Sequence, residues 1–342
     1  MTFLQEDIEK IANSEYAPIL KGKKIFITGA TGLIGSLLAR SLMQISCELF
    51  IIVRDIDKAK SIYGHRLKDI NVINGDITDT RWFDEISVDL DYIFHCAAVT
   101  TSKIMVSRPV ETIKIAIDGT DNLLKFAVQH HTKTFIYISS MEVYGSLDEE
   151  LATEDKLGYI DITKIRSNYP ESKRMSENLC VAYASEYGLD VRIARLAQTF
   201  GAGILPWEGR IFAQFAKSVI EGRDIVLHTN GMSEGNYCYS RDMVLGLFTI
   251  LFKGKKGEVY NVVNEKTHTT IADMAKLVAE NIADRKIKVI FDIPDDSNKF
   301  GYAADTHLKL SSAKLEKLGW KPEVGLQEMY QRMIHDLRNN LF

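Results

Sequence analysis

A glycine-rich turn between an apolar strand and a helix is the feature that most limits what this chain can fold into. The string "KIFITGATGLIGSLLAR", from Lys24 to Arg40, places Gly29, Gly32 and Gly35 three residues apart. The first glycine permits a tight turn, the second lets a pyrophosphate approach the backbone, and the third lets helix and strand pack closely. The helix N-terminus adds unpaired N–H groups and a positive dipole. This pattern predicts a dinucleotide-binding βαβ unit.

Short apolar segments alternate with helical segments after this turn. We predict strands at 24–28, 49–53, 71–75, 91–98, 133–140 and 190–196, and helices at 33–44, 110–131 and 169–187. Near-continuous apolar strands separated by helices indicate a parallel sheet that is covered on both faces. The expected fold class is therefore α/β, a Rossmann-type doubly wound parallel sheet with a smaller, partly interleaved C-terminal α/β lobe that binds substrate.

The rhythm of strands and helices changes along the chain and suggests where its parts begin and end. Residues 1–22 precede the first strand and are expected to form a helical extension. We assign residues 23–199 plus about 237–264 to the nucleotide-binding domain, because a helix at 242–253 and a strand at 258–263 look like a return to the main sheet. The substrate-binding lobe takes about 200–236 plus 265–342, with helices at about 210–221, 270–282 and 325–338.

Composition excludes several classes of function. The 342 residues have a formal net charge of −4 with both signs interspersed, unlike the basic stripe of a nucleic-acid-binding protein. The longest apolar run, from Val244 to Phe252, is far shorter than the ~20 residues that a membrane span needs. The four cysteines form no CxxC pair, and the eight histidines show no metal-ligand spacing. We expect a cytoplasmic protein with reduced cysteines and with no metal, membrane or nucleic-acid partner.

The end of the second strand bears on which dinucleotide is bound. A carboxylate at this place favours NAD through the ribose hydroxyls, whereas an arginine accommodates the 2′-phosphate of NADP. The sequence has Arg54 followed by Asp55, with Lys58 close behind. The balance favours NADP, with NAD as the alternative. Asp76, after the third strand, suits either an adenine contact or a helix N-cap.

A tyrosine and a lysine in "YPESKRMSENLC" have the spacing of a proton-transfer site. Tyr169 and Lys173 stand four residues apart and therefore lie on one face of the predicted helix. A phenol with a pKa of ~10 is a poor base at neutral pH. A neighbouring ammonium group and an oxidised nicotinamide would favour the phenolate. Ser140, at the end of a neighbouring strand, could hydrogen-bond the same substrate hydroxyl.

Seven segments together resemble a known family. They are "TGATGLIG", "GDITD", "DYIFHCAA", "SSMEVYG", "YPESK", "VRIARLAQTFG" and "YNVVNE", and they span roughly residues 23 to 264. In this order they resemble the extended short-chain dehydrogenase/reductases, the NAD(P)-dependent sugar-nucleotide epimerase/dehydratase family. The resemblance implies a Ser-Tyr-Lys triad of Ser140, Tyr169 and Lys173. Tyr169 would take a proton from a sugar hydroxyl, usually at C4, while hydride passes to the nicotinamide, and Lys173 would also hold the nicotinamide ribose.

The same resemblance implies a set of binding residues and partners. The dinucleotide is expected to contact Gly29, Thr31, Gly32, Leu33, Ile34, Gly35, Arg54, Asp55, Lys58, Asp76, Ile77, Cys96, Ala97, Ala98, Tyr169, Lys173 and Leu196. The substrate, a nucleotide-diphosphate sugar, is expected to contact Thr100, Ser140, Met141, Glu142, Arg166, Gln198 and Arg210. Family members imply a homodimer formed by pairs of helices, for which the helices at 110–131 and 169–187 are the candidates.

One position helps to choose among the branches of that family. Dehydratases resemble "STDEVYG", in which adjacent Asp and Glu act as acid and base, but this chain has Met141 at the aspartate position. Glu142 alone cannot easily serve as both acid and base at separate atoms. UDP-glucuronate decarboxylases have similar motifs, yet they carry an arginine where this chain has Gly235. Two asparagines of the family are also replaced, one after the sixth strand by Gln198 and one in the long helix by Ala116.

These departures favour a nucleotide-sugar 4-epimerase, which needs least beyond the triad because hydride is returned to the same sugar. Glu142 would then hydrogen-bond the sugar or cap the strand end. A UDP-glucuronate decarboxylase and an NADPH-dependent reductase of a keto sugar or other carbonyl are the enzymatic alternatives. A cofactor-sensing binding protein is the alternative outside enzymes.

Overall fold

The computed structural model describes residues 2–147, 149–293 and 306–340. The described helices are α1 (Phe3–Ala12), α2 (Ala17–Leu20), α3 (Leu33–Ile45), α4 (Ile56–Tyr63), α5 (Ser102–Ser107), α6 (Pro109–Gln129), α7 (Asn168–Glu186), α8 (Ile211–Glu221), α9 (Ser240–Lys253), α10 (Ile271–Leu277), α11 (Ala313–Glu316) and α12 (Leu326–Asn340). The described strands are β1 (Lys24–Thr28), β2 (Glu48–Val53), β3 (Asn71–Asn74), β4 (Tyr92–His95), β5 (Thr134–Ser140), β6 (Val191–Leu196), β7 (Gln198–Phe200), β8 (Ile225–Leu227), β9 (Glu234–Tyr239), β10 (Val259–Val262), β11 (Asn264–Thr270) and β12 (Val289–Phe291).

Seven of these strands form the parallel sheet that the apolar segments predict. Their order is β10-β6-β5-β4-β1-β2-β3, and every pairing between neighbours is parallel. The order reverses beside β1, which lies between β2 and β4, and a reversal of this kind opens a crevice beyond the carboxyl ends of the strands. Thr28, His95, Ser140 and Leu196 end their strands along this one edge. The sequence prediction of a Rossmann-type α/β fold is confirmed.

Helices cover both faces of this sheet. On one face, α3 and α9 bury Leu37 and Leu247 in a cluster with the strand residues. On the other face, α6 and α7 bury Phe126 and Cys180 in a second cluster that includes Phe26 of β1. The strands are therefore buried on both sides, which explains why their sequences are nearly continuous runs of apolar residues.

The remaining strands form two small sheets in the C-terminal part of the chain. Their orders are β11-β9-β7 and β12-β8. Beside them, α8, α10 and α12 pack around a third apolar cluster that includes Phe212, Phe215 and Met329. Strand β10 follows β9 in the chain but joins the main sheet beside β6, so the two parts of the molecule interleave. The domain boundaries given above stay a prediction.

Local differences from the sequence prediction have structural reasons in two places. The strand expected at 91–98 ends at His95, because the backbone of Cys96 and Ala97 then passes directly against the glycine-rich turn. The sequence pattern missed β9, because this strand begins with Glu234, Gly235 and Asn236 and so shows neither a continuous apolar run nor an alternation of polar and apolar side chains. The helix expected at 270–282 ends at Leu277 and continues as a π-helical turn from Val278 to Ile282.

The N-terminal extension contacts both parts of the molecule. Ile8 and Ile11 of α1 belong to the core beside the main sheet, whereas Phe3 packs against the C-terminal cluster. The carboxylate of Asp336, on α12, accepts hydrogen bonds from the backbone N–H groups of Phe3 and Leu4 at 2.9 and 2.7 Å. This carboxylate satisfies N–H groups that a helix start leaves unpaired, and it fastens α1 to α12.

A buried carboxylate strengthens the same junction. Asp7 of α1 is fully buried and accepts a hydrogen bond from the Tyr239 hydroxyl at 2.5 Å. Arg241 and Arg332 approach its other oxygen at 3.4 and 3.5 Å. Burial raises the pKa of Asp7 to about 6 in spite of these partners.

Within the described residues, no helix is long and apolar enough to cross a membrane.

Candidate active site

The glycine-rich turn has the shape of an anion-binding cradle. Gly29 adopts a positive φ of +68°, and a Cβ atom there would lie 2.7 Å from the Ala97 nitrogen and from the Cys96 carbonyl carbon. A Cβ atom on Gly35 would collide with the Gly29 carbonyl oxygen. Gly32 is different, since it is exposed and begins α3 without any side-chain cap. The first N–H groups of α3 are therefore open to a ligand such as a pyrophosphate.

A chain of hydrogen bonds fixes the strand ends beside this cradle. The Thr28 hydroxyl lies 2.8 Å from His95 Nδ1 and accepts the Ala97 N–H at 3.1 Å. His95 Nε2 lies 3.1 Å from the Thr120 hydroxyl, which donates to the Ala116 carbonyl. Burial, and then the Lys173 charge, lower the pKa of His95 to about 3. The imidazole is therefore neutral at physiological pH and holds β1, β4 and α6 together.

The structure brings the three predicted triad residues to one place. Ser140 is the last residue of β5, and Tyr169 and Lys173 follow each other by one turn at the start of α7. Tyr169 is 8% exposed, and its hydroxyl hydrogen-bonds Ser140. Lys173 is 3% exposed, and its Nζ donates to the Ile138 carbonyl at 2.7 Å. The same Nζ stands 4.7 Å from the centre of the Tyr137 ring.

The charges around Tyr169 oppose each other. Burial, and then the Glu142 carboxylate, raise the pKa of Tyr169 to about 12, whereas Ser140, Arg166 and Arg210 act in the opposite direction. Burial lowers the pKa of Lys173 to about 8. At neutral pH the protein without ligands therefore holds a neutral phenol beside a buried ammonium group. Further positive charge is needed before the phenol can act as a base.

The buried lysine predicts a trade between stability and activity. Below pH 8 the folded protein carries the charge at a cost of up to about 3 kcal/mol, because the pKa of Lys173 falls from 10.5 to about 8 on folding. Removing the hydrogen bond to Ile138 costs only about 1 kcal/mol. We therefore expect Lys173→Met to raise the melting temperature at pH 7 while it abolishes activity.

The pH dependence tests this explanation. Between pH 8 and 10.5 the unfolded chain binds more protons than the folded one, so the wild type gains stability as pH rises and the advantage of Lys173→Met shrinks. Calorimetry at pH 7 and pH 10 measures both differences. The exposed Lys164 provides the control variant Lys164→Met. A lower melting temperature for Lys173→Met at pH 7 would contradict the prediction.

A partly exposed ion pair stands beside Tyr169. Glu142 belongs to the short 3₁₀ helix after Ser140, and its N–H donates to the Ser140 hydroxyl at 3.2 Å. The Arg166 Nη2 contacts both Glu142 oxygens, at 3.0 and 2.9 Å. The Arg166 guanidinium also stands 5.8 Å from the centre of the Tyr169 ring. The charge of Glu142 is therefore balanced by Arg166. We call Met141, Glu142 and Arg166, which lie beside Ser140 and Tyr169, the triad mouth.

The other predicted substrate residues lie in three places. Arg210 precedes α8, and its guanidinium pairs with Glu208 at 2.7 Å. Burial raises the pKa of Glu208, but the hydrogen bond and charge of Arg210 bring it below its ordinary value. Gln198 begins β7, two residues after the end of β6, and Thr100 is an exposed residue beyond β4. The charge of Arg210 acts to lower the pKa of the Tyr169 phenol.

The predicted adenosine-binding residues lie at the ends of β2 and β3. Arg54 is 65% exposed, and its ion pair with Asp76 is long, 3.7 Å. Asp55 caps α4 by accepting the Lys58 N–H at 2.9 Å. Asp76 also accepts the N–H and hydroxyl of Thr78 at 2.9 and 2.8 Å. Both carboxylates therefore already cap local backbone, and Arg54 is the less engaged of the two residues after β2.

The remaining predicted cofactor residues are placed along the same edge. They are Thr31, Leu33 and Ile34 at the start of α3, Ile77 against α6, Cys96, Ala97 and Ala98 after β4, and Leu196 at the end of β6. Burial raises the pKa of the Cys96 thiol to about 12, so it is no nucleophile at neutral pH. Cys47, Cys180 and Cys238 are also free thiols.

A buried ion pair behind the triad was missed by the sequence analysis. Arg195 of β6 contacts Glu177 of α7 through Nη2 at 2.7 Å and through Nε at 3.0 Å. The Ser139 hydroxyl donates to the same carboxylate at 2.5 Å. Arg195 Nη1 donates to the Tyr144 hydroxyl, which donates to Asn261 at 2.7 Å. Glu177 follows Lys173 by one helical turn, and this spacing in the sequence could have predicted that the two side chains share one face of α7.

Comparisons with known proteins agree with this arrangement. Residues 25–263 match the model of the family described as "NAD dependent epimerase/dehydratase family". UDP-glucuronic acid decarboxylase 6 of Arabidopsis thaliana is 31% identical over 324 residues, covering 93% of this chain and 90% of that protein. The solved structure of UDP-glucose 4-epimerase from Thermotoga maritima is similar with a TM-score of 0.80 at 23% identity, covering 93% of this chain and 100% of that chain. UDP-glucuronic acid 4-epimerase from Bacillus cereus gives a TM-score of 0.77 at 22% identity, with 93% and 100% covered.

Proposed function

The chain belongs to the NAD dependent epimerase/dehydratase family, whose members are enzymes that act on nucleotide sugars, and from this premise we propose that it is a nucleotide-sugar 4-epimerase. The observation that supports this choice is the composition of the triad mouth. With a bound nicotinamide as the hydride acceptor, Ser140, Tyr169 and Lys173 could take the proton of a sugar hydroxyl, but beside them stand Met141 and a Glu142 already paired with Arg166. Among the described residues of the triad mouth, Glu142 is the one carboxylate, and no second carboxylate is available to pair an acid with a base.

The proposed chemistry divides between the protein and a bound nicotinamide. When bound, the nicotinamide ring accepts the hydride of the sugar carbon and returns it. The glycine cradle and the α3 N-terminus would hold the pyrophosphate, and Lys173 would hold the nicotinamide ribose. Ser140 orients the sugar hydroxyl, and Tyr169 takes its proton and gives it back when the ketone is reduced. Epimerisation requires only that the keto sugar turn between these two steps, so it consumes no external reductant.

Decarboxylation of UDP-glucuronate is the second candidate. The observation that favours it is the sequence likeness, since the Arabidopsis thaliana relative at 31% identity is a UDP-glucuronic acid decarboxylase. A β-keto acid formed by the same oxidation loses carbon dioxide with little assistance, so the triad would suffice for this reaction too. The composition of the triad mouth favours epimerisation, because Gly235 and Met141 provide no cation for a substrate carboxylate.

One experiment separates these functions. Purified protein is incubated with UDP-, dTDP-, GDP- and CDP-sugars, with and without added dinucleotide, and the products are identified by mass spectrometry and NMR. We expect an unchanged mass with new sugar proton signals, because epimerisation moves no atom out of the substrate. A product lighter by about 44 Da, the mass of carbon dioxide, would indicate a decarboxylase, and a product lighter by the mass of water would indicate a dehydratase. A dependence on stoichiometric NADPH would indicate a reductase.

The preference for NADP over NAD stays a prediction, and Arg54 tests it. A 2′-phosphate at the end of β2 would find the exposed Arg54 guanidinium, whereas Asp55 is engaged in capping α4. We expect Arg54→Ala to weaken NADPH binding by about tenfold or more and to leave NADH binding unchanged. Fluorescence titration of both dinucleotides measures this. Lys60→Ala, which removes another exposed cation from α4, is the control, and equal losses for both dinucleotides would count against the prediction.

We also propose a homodimer that pairs α6 and α7 of two copies. These helices pack on each other and expose Val110, Ile113, Met175 and Val181, which are large apolar side chains. Burial of such side chains against a second copy would remove them from water. We expect light scattering to give the mass of two chains for the wild type and of one chain for Met175→Glu. A wild-type mass of one chain would contradict the proposal.

A further inference from the structure

The wall of the candidate site beside Ser140 is uncharged. Met141 follows Ser140 directly and is only partly buried. Opposite it lies Gly235 of β9, where an added Cβ atom would meet Met141 Cε at 3.9 Å and no other described atom within 4 Å, its chain neighbours aside. Gln198 of β7 pairs with Tyr237, two residues along β9 from this glycine, and is likewise neutral. An apolar thioether, a bare backbone and an amide therefore form this wall.

The nearest charges beside this wall already neutralise each other. Arg166 Nη2 contacts both oxygens of Glu142 at 3.0 and 2.9 Å. A ligand carboxylate placed here would meet the Glu142 carboxylate, and it would have to compete with it for Arg166. Two adjacent carboxylates repel each other, which weakens binding. Removing a carboxylate from water without giving it a cationic partner weakens binding further. Arg210 is occupied by Glu208 at 2.7 Å.

We infer that Met141 and Gly235 are specificity-determining residues that accept a nucleotide sugar with an uncharged substituent at C5 and exclude uronates. This inference rests on the proposed function, because it takes C4 as the reacting carbon. If Ser140 and Tyr169 hold the C4 hydroxyl, the residue after Ser140 lies against a substituent of a neighbouring ring carbon. C5 is the neighbour that carries a carboxylate in uronates and a hydroxymethyl or methyl group in neutral sugars.

Binding measurements test the inference without turnover. Calorimetric titration of the dinucleotide-loaded protein uses pairs that differ only at C5: UDP-glucose with UDP-glucuronate, and GDP-mannose with GDP-mannuronate. We expect the neutral member of the pair that binds to have a Kd at least about tenfold lower than the uronate. Equal or tighter binding of the uronate overturns the inference while leaving a nucleotide-sugar enzyme intact. Binding of no member of either pair overturns the inference for these sugars, while the proposed function is judged by the turnover screen of UDP-, dTDP-, GDP- and CDP-sugars.

A substitution at Gly235 gives the sharper result. The backbone there has no positive φ and the Cβ contact of 3.9 Å is ordinary, so a Cβ atom can be added without backbone strain. Gly235→Arg adds a cation to the wall, and Gly235→Met adds similar bulk without charge. We expect Gly235→Arg to shift the ratio of the two Kd values toward the uronate by about tenfold or more, and Gly235→Met to leave the ratio unchanged. An equal ratio in both variants would remove charge as the explanation of specificity.

Discussion

Replacing Tyr169 by phenylalanine is expected to lower turnover by about 10²–10⁴-fold, the usual contribution of a positioned acid or base. The Tyr169 hydroxyl reaches Ser140 and is the ionisable group at the centre of the triad, whereas its ring is held by packing that phenylalanine keeps. Cofactor affinity and melting temperature are therefore expected to stay unchanged. Steady-state kinetics with the nucleotide sugar that the product screen identifies, and titration of the dinucleotide, measure the two effects separately.

The control for this variant lies on the same helix. Tyr187 follows the C-terminal end of α7 and is exposed, so Tyr187→Phe removes a phenol far from the triad. We expect this variant to keep full activity. Full activity in Tyr169→Phe would instead dismiss the triad assignment. A loss of cofactor binding in Tyr169→Phe would assign the residue to binding rather than to proton transfer.

A methyl group on Gly29 is expected to have the largest effect on the cofactor domain itself. Alanine in the left-handed region costs roughly 1–2 kcal/mol. Its Cβ would in addition lie 2.7 Å from the Ala97 nitrogen and from the Cys96 carbonyl carbon, two backbone atoms that cannot rotate away. Overpacking of this kind costs about 1–3 kcal/mol. Gly29→Ala is therefore expected to lose roughly 2–5 kcal/mol of stability, together with dinucleotide binding.

Gly22 provides a matched control for the backbone term. It has a φ of +73°, close to the +68° of Gly29, but an added Cβ would meet nothing within 4 Å. Gly22→Ala should therefore show the conformational cost alone, roughly 1–2 kcal/mol. Denaturant unfolding of both variants gives the difference, which reports the close approach of β1 and β4. Equal losses would mean that the strands move apart easily and that the cradle is not rigid.

Much of the fold was readable because the relevant signals are local. The glycine spacing, the continuous apolar strands and the helical periodicity each arise within a few residues, and all agree on a parallel sheet. The triad was readable for the same reason, since Tyr169 and Lys173 are one helical turn apart. The strands of the C-terminal part were harder, because β9 has Glu234, Gly235 and Asn236 among its six residues and so shows neither a continuous apolar run nor a period of two.

The candidate site was readable only in part. Glu142 and Arg166 were each named as substrate residues, but nothing in the sequence indicated that they form an ion pair with each other. The Glu177–Arg195 pair links α7 to β6, and the two residues are eighteen positions apart. Such pairings depend on which strands are neighbours and on how a helix is rotated above them. Those are properties of the packed molecule.

The sequence by itself determined the Rossmann-type sheet with its glycine-rich turn, because backbone freedom and hydrophobic periodicity arise from each residue and its near neighbours. The triad was predicted through the resemblance to a known family. Only the tertiary structure decided the charge state of the site. Burial moves the pKa values of Lys173 and Tyr169 apart, from 10.5 and 10.0 to about 8 and about 12. It also decided that Met141, in the 3₁₀ helix after β5, lies against Gly235 of β9. Burial and long-range contact depend on the whole packed chain, and so no local pattern encodes them.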